Sequence, residues 1–175
     1  MLLAALHDVQ PAETKPGAAK EIYDYYEHEL IKHLEKVVGN DLSSAATVAQ
    51  AMSGQLFGIT NLLRRAASAF AEVKGPREMP TVLVVGELYV RCDPFANDFI
   101  VEKLAKRGIR ARLAPFNEWL EYTDYQDARK EKPLEYVKSY LQATIQHQIY
   151  LVMAAGLGWH RRTTVQDSLA AAKPY

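Results

Sequence analysis

The residues best suited to chemistry fall in one stretch, Gly86-Glu87-Leu88-Tyr89-Val90-Arg91-Cys92-Asp93-Pro94. An arginine presents a planar fork of donors to phosphate or carboxylate. A neighbouring glutamate can orient a ligand, act as a base, or pair with the arginine. Gly86 permits a tight turn, and Asp93 with Pro94 reads as the cap and first position of a helix, whose amides point back toward the loop. Two readings stay open. Arg91 meets an anionic group that Glu87 orients while Asp93 and Asn97 fix the loop, or Glu87 and Arg91 form a structural ion pair and Asp93 and Asn97 only cap. The stretch lacks the three-glycine dinucleotide fingerprint and the Lys-Ser/Thr of a P-loop. A second cluster, Asn117-Glu118-Trp119-Leu120-Glu121-Tyr122, supplies Trp119 and Tyr122, either as a pocket wall or as a packed aromatic pair. The candidate binding set is therefore Gly86, Glu87, Tyr89, Arg91, Asp93, Asn97, Trp119 and Tyr122. No catalytic or metal-ligating residue is assigned.

Other reactive side chains carry less. His28, Glu29 and His33 share a helix without a third ligand and read as a solvated face. His147 lies beside an apolar stripe and His160 beside Trp159, and neither has a nucleophile or an orienting acid in a recognisable motif. Cys92, placed just before a helix N-terminus, is expected to have some thiol reactivity. Tyr23, Tyr25 and Tyr26 read as partly buried helix surface, suited to an interface.

The elements that must position these residues follow from periodicity and punctuation. Ile22, Tyr26, Leu30, Leu34 and Val37 recur at helical spacing over Glu21 to Val38, and Gly39-Asn40 ends the run. Asp41 to Ser44 offers caps for a second helical series, from Val48 to Val73. Gly54 and Gly58 interrupt it, which predicts two helices with a short joint, because each interior glycine costs about 1 kcal/mol relative to alanine. Thr81-Val82-Leu83-Val84-Val85 is β-branched and apolar at nearly every position, the pattern of a strand buried on both faces. A helix containing Phe99, Ile100, Val101 and Leu104 follows, ended by Gly108, and then a strand at Ile109 to Leu113. The result is a βαβ unit over 81–113. Pro115 to Tyr125 reads as a short helix or turn, Lys130 to Leu157 as a long helix closed by Gly156 and Gly158, and Thr164 to Lys173 as a last short helix.

The fold class is thus α/β: a helix-rich, Rossmann-like fragment with a short parallel sheet flanked by long helices. An N-terminal helical segment, 1–76, packs as one domain with the βαβ unit and C-terminal helices of 77–175. Two parallel strands leave both outer edges unpaired, which predicts that the chain is a piece of a larger polypeptide.

Composition excludes several function classes. The 175 residues are 49% hydrophobic, and 21 Lys and Arg balance 21 Asp and Glu to a net charge of zero. A duplex nucleic-acid binder would show a basic excess or stripe, so no nucleic-acid partner is expected. The single cysteine cannot make an intramolecular disulfide, a structural zinc site or an iron–sulfur site alone. Met1 to Leu6 has no basic n-region and Asp8 follows at once, unlike a signal peptide. The longest apolar stretch, Ile149 to Trp159, falls short of the roughly 20 residues of a membrane span. A cytoplasmic protein without a membrane partner is the expectation.

Against this background Pro80-Thr81-Val82-Leu83-Val84-Val85-Gly86-Glu87-Leu88-Tyr89-Val90-Arg91, followed by Asp93-Pro94-Phe95-Ala96-Asn97-Asp98, resembles the dehydratase-like portion of the CoA-substrate-specific enzyme activases, relatives of the 2-hydroxyglutaryl-CoA dehydratase subunits. Pro11 to Gly17 is similar to the family's segment before a long helix, and Glu118-Trp119 with Tyr122 to its motif after the second strand. The resemblance covers most of the chain in order and is specific in the Gly-Glu-Leu-Tyr-Val-Arg block. It implies Rossmann-like lobes that hold a [4Fe–4S] cluster and serve ATP-driven electron transfer to acyl-CoA dehydration or reduction. The family's cluster loop and nucleotide-binding domains do not correspond to any part of these 175 residues. The resemblance therefore implies a fragment without cofactor or catalysis of its own, whose partners are the rest of the parent chain or a dehydratase subunit. The other class of reading is a non-enzymatic interaction module, in which the helices Glu21–Val38 and Lys130–Leu157 dock onto sister domains or form a homo-oligomer.

Overall fold

The computed structural model describes residues 1–39, 43–114 and 133–159. Among these are seven α-helices and a two-stranded parallel sheet, a helix-rich α/β arrangement. The expected helix or turn at 115–125, with Trp119 and Tyr122, and the expected helix at 164–173 lie outside the described residues, as does His160.

Helix α1 (Leu2–Val9) runs into a 3-10 turn at Gln10–Ala12. The chain then reverses at Gly17, whose φ of +89° favours glycine. The Glu13 carboxylate accepts from the Gly17 and Ala19 amides at 2.8 and 2.9 Å, which satisfies orphan donors at the start of α2 (Ala18–Val38). Helix α2 begins three residues before the apolar periodicity does, because this cap reaches it from outside the helix.

The interrupted series is two helices, α3 (Ser44–Ser53) and α4 (Ile59–Val73), as the glycines predicted. Ser43 Oγ caps α3 by accepting from the Ala46 amide, and Gly54 closes it in the left-handed region at φ +69°. The joint is a 3-10 turn, Leu56–Gly58, in which Phe57 also takes a left-handed conformation at φ +54°. Such a non-glycine residue costs of order 1–3 kcal/mol and persists only where its surroundings hold it. Gln50 Oε1 accepts from the Phe57 amide at 2.9 Å, and His33 Nε2 bonds the Phe57 carbonyl at 2.6 Å. His33 is therefore a strut between α2 and the joint, in place of the expected solvated face.

Helix α4 is the most strongly two-faced element and buries Leu62, Leu63, Ala66, Ala67 and Phe70. Helices α1, α2 and α7 (Pro133–Leu157) all pack on it. Gly156 does not end α7. A Cβ at that position would lie 2.5 Å from Ala67 Cβ, so the glycine lets α7 approach α4 closely, and Gly158 at φ +67° marks the helix end. The core gathers Leu2, Leu6 and Val9 of α1, Leu63 and Phe70 of α4, and Met153 of α7. The expected long helix is described over Pro133–Leu157, and the expected start at Lys130 lies outside the described residues.

The βαβ unit is present. Strands β1 (Thr81–Val84) and β2 (Arg110–Leu113) pair in parallel, Thr81 against Arg110 and Val84 against Leu113. Gly108 ends the crossover at φ +70°, with the Ile109 amide donating to Leu104, a left-handed helix ending. The prediction that β1 is buried on both faces fails. Leu83 is 63% exposed and Val82 38%; among the described residues β1 pairs with β2 alone, and the helices collect around α4. Ala111 and Val101 carry what burial the unit has. No helix among the described residues is long and apolar enough to cross a membrane.

One polar node ties the helices to the sheet. Asp8, its side chain 11% exposed, receives Lys74 Nζ at 2.9 Å and Arg110 Nε at 2.8 Å. Trp159 Nε1 donates to the same carboxylate at 3.2 Å. Lys74 Nζ also donates to the Leu157 carbonyl at 3.3 Å. The backbone of Gly75 donates to Ala12 at 2.7 Å and that of Thr14 to Val73 at 2.8 Å, which brings Lys74 beside α1.

Removing one partner of such a pair leaves the other charges buried without compensation, so Asp8→Ala should lower stability by about 3 kcal/mol, read as a urea midpoint shift; a shift under a third of that would remove the node from its structural role. His7, in α1, is held below its ordinary value of 6.5 by burial, with Glu102 opposing the effect. The unfolded chain then takes up a proton that the folded chain resists, so stability should fall as the pH drops below about 6.5. His7→Gln should flatten that slope in melts between pH 7.5 and 5, and an unchanged slope would assign it to other groups.

Candidate functional site

The sequence-selected residues that can be described all lie between β1 and the last helix of the crossover. Gly86 adopts φ +143°, and no atom comes within 4 Å of where its Cβ would be. Backbone conformation alone therefore demands glycine there. The residues after it are not an open loop. Leu88–Cys92 forms a single helical turn, α5, because Glu87 caps it, its Oε2 accepting from the Tyr89 and Val90 amides at 2.8 and 3.2 Å.

That cap bears on the ion-pair reading of Glu87 and Arg91. No ion pair joins them among the described residues. The Glu87 carboxylate serves backbone amides through Oε2 in place of the structural ion pair with Arg91. Arg91 is partly buried, its Nε is enclosed without a hydrogen-bond partner, and its guanidinium makes no ion pair among the described residues.

Asp93 does not start a helix at Pro94. Its Oδ1 accepts from the Phe95 amide at 2.9 Å, a local Asx turn. The chain then runs through turns to Asp98 and Phe99, both left-handed at φ +55° and +53°, and α6 spans Ile100–Ala105. The expected row of free amides facing the loop is therefore absent at Asp93. Asn97 does more than cap: its Oδ1 accepts from the Ile100 amide at 3.2 Å and its Nδ2 donates to the Arg91 carbonyl at 3.0 Å. One side chain thus fixes both the start of α6 and the end of α5. Tyr89 and Phe95, 79% and 84% exposed, flank Arg91 in sequence. Cys92 is free and exposed, in the last turn of α5 and not before a helix N-terminus, so the dipole argument for a reactive thiol does not apply.

Among the described residues no group of three or more His, Cys, Asp or Glu side chains could hold a metal ion. His147 is exposed on α7. Tyr25 and Tyr26 meet edge to face at 5.0 Å. Tyr23 hydrogen-bonds Glu27, and burial first, then that bond, pushes its hydroxyl up to about 12. Tyr23 and Glu27 edge an apolar depression of about 400 Å³ walled by Leu30, Leu63 and Ile149. Sequence reading did not single out this depression, whose walls come from several separate elements.

No protein-family model, curated protein or solved structure matches this chain.

Loss of a side-chain cap costs roughly 1 kcal/mol, comparable to the stability of a five-residue helix, so Glu87→Ala should unwind α5 and raise amide exchange at Tyr89 and Val90 while leaving the melting temperature nearly unchanged. Protection that persists in the variant would show that α5 stands without this cap.

Proposed function

We propose that the chain is a Rossmann-like portion of a protein related to the CoA-substrate-specific enzyme activases and the 2-hydroxyglutaryl-CoA dehydratase subunits, and that it binds an anionic group of a ligand at Arg91. The observation that carries the site is the unpaired guanidinium. Arg91 is partly buried, its Nε is enclosed and unbonded, and its terminal Nη groups, which make no hydrogen bond or ion pair among the described residues, are the donors a phosphate or carboxylate would meet. The position supports the same reading, since ligands of open parallel sheets bind beyond the carboxyl ends of the strands, where α5 follows Val84 directly.

Each neighbouring residue has a part in binding rather than in bond making. Gly86 turns the chain, Glu87 holds α5 closed, and Asn97 is a positioning residue that anchors the Arg91 carbonyl to α6. Tyr89 and Phe95 offer exposed rings beside the cation. Electron transfer, ATP hydrolysis and the [4Fe–4S] cluster belong in this reading to the parent protein, with the remaining parent domains or a dehydratase subunit as partners in the cytoplasm.

A second reading, an interaction module without chemistry, draws on the helices. Tyr25, Ile31 and Val38 of α2 are 61%, 51% and 76% exposed, and Val137 and Tyr140 of α7 are 60% and 64% exposed, a density of bare apolar side chains that suits docking onto sister domains.

Calorimetric titration of the full chain with coenzyme A separates the two readings. Binding that weakens about tenfold or more in Arg91→Ala, as expected for loss of a charged hydrogen bond of 1.5–3 kcal/mol, and only partly in Arg91→Lys supports the site. Absence of binding, or equal affinity in Arg91→Ala with an unchanged circular dichroism spectrum, overturns it.

A further inference from the structure

We propose that the turn around Gly108 is a docking point for a carboxylate-rich segment of a partner protein, met by Arg77, Lys106 and Arg107. Lys103, Lys106, Arg107, Arg110 and Arg112 fall within ten residues that hold no acid, so the zero net charge of the chain conceals a local excess. The fold adds a further cation. Arg77, just ahead of β1, brings its Nη2 and Cζ to 3.7 and 3.9 Å from where a Cβ of Gly108 would stand. The cluster therefore sits at the amino ends of both parallel strands, opposite to the end that carries Arg91, and is independent of the site proposed there.

Part of this charge is already committed. Lys103 pairs with Asp98 at 2.6 Å and Arg110 with Asp8 at 2.8 Å. Arg107 donates from Nη1 to the Lys103 carbonyl at 3.1 Å, as suits a cation at a helix C-terminus, where the partial charge is negative. That helix end accounts for one donor of Arg107 and no more. Arg77 and Lys106 are exposed and make no ion pair or hydrogen bond among the described residues. The acids adjoining in sequence do not neutralise them, since Glu78 forms no ion pair among the described residues and Glu102 acts on His7. Three cations gathered without a counter-charge repel one another, and an opposing row of anions relieves that repulsion.

The donors select the class of partner. A phosphate held by a turn is cradled by backbone amides, but the amides of Lys106, Arg107, Gly108, Ile109 and Arg110 all donate to carbonyls of the chain itself. Duplex nucleic acid needs a longer basic track across one face, and this cluster ends at three side chains. What the turn offers is two guanidinium forks and an ammonium, all on exposed residues, which match carboxylates spaced along an acidic segment. Such exposed pairs are individually weak, speed the encounter of the partners and lose strength with salt.

Fluorescence anisotropy of a labelled hexaglutamate peptide titrated with the full chain tests the docking point. Binding is expected at an ionic strength of about 0.01 M, where the screening length is about 30 Å, and should weaken at about 0.15 M, where it is about 8 Å. Arg77→Glu combined with Lys106→Glu should weaken it about tenfold or more with an unchanged circular dichroism spectrum, since each exposed pair is worth up to about fivefold. Should that variant fail to fold, Arg77→Gln with Lys106→Gln gives the same reading at a smaller loss. Arg91→Ala should leave the affinity for the peptide unchanged. Absence of binding at the lower ionic strength, or equal affinity in the folded double variant, overturns the proposal. So does a loss of affinity in Arg91→Ala, which would assign the peptide to the other end of the strands, and so does tighter binding of a single-stranded oligonucleotide of equal charge.

Discussion

Asp8 sits in the last turn of α1, where the partial negative charge of the helix end makes a carboxylate unfavourable. It is also 9% exposed, so water cannot relieve it. The cost is offset from outside the helix by Lys74 at the end of α4, Arg110 at the start of β2 and Trp159 just beyond α7. Four segments distant along the chain must arrive together for the carboxylate to find three donors, and none can leave without stranding a charge or an indole N–H. Lys74 brings a further balance, because its second acceptor is a carbonyl in the last turn of α7, another helix end of negative sign. The node therefore sets how the sheet stands relative to the helices, a register that apolar packing, which is non-directional, specifies only loosely.

Packing supplies the cohesion that the node orients. Helix α4 lies at the centre because its apolar face is broad enough to receive α1, α2 and α7, and the small pair Gly156 and Ala67 lets α7 come within backbone distance. Close approach of this kind increases the dispersion contacts of every neighbouring side chain. The joint between α3 and α4 carries local strain at Phe57, held by His33 and Gln50. A histidine that sequence inspection pairs with Glu29 as a conceivable ligand set is used instead to hold a turn.

The crossover unit is constructed differently. Its strands are short, its aliphatic side chains largely bare, and its turns held by side-chain caps from Glu87, Asp93 and Asn97 rather than by a core. Glu87, the acid that sequence reading offered as a possible base, caps backbone amides through Oε2. Arg91 is left as the charged candidate of this stretch whose side chain makes no ion pair or hydrogen bond among the described residues, which is why the proposed function is placed there.

Regular spacing and punctuation were enough to place most elements. The apolar repeat of α2, the break between α3 and α4 at Gly54 and Gly58, the strand pair and the glycine at 108 all follow from local physics: side-chain periodicity and the conformational freedom of single residues act within a few positions of where they are written. The same locality explains the errors. Gly156 looks like a helix terminator until Ala67 is beside it, and Thr81 to Val85 looks buried until its exposure in the fold is known. Asp8 enters the sequence reading only as the acid that follows the apolar Met1 to Leu6, and its partners lie 66, 102 and 151 positions away. No spacing rule reaches that far, and only the folded chain could decide which cations would meet it.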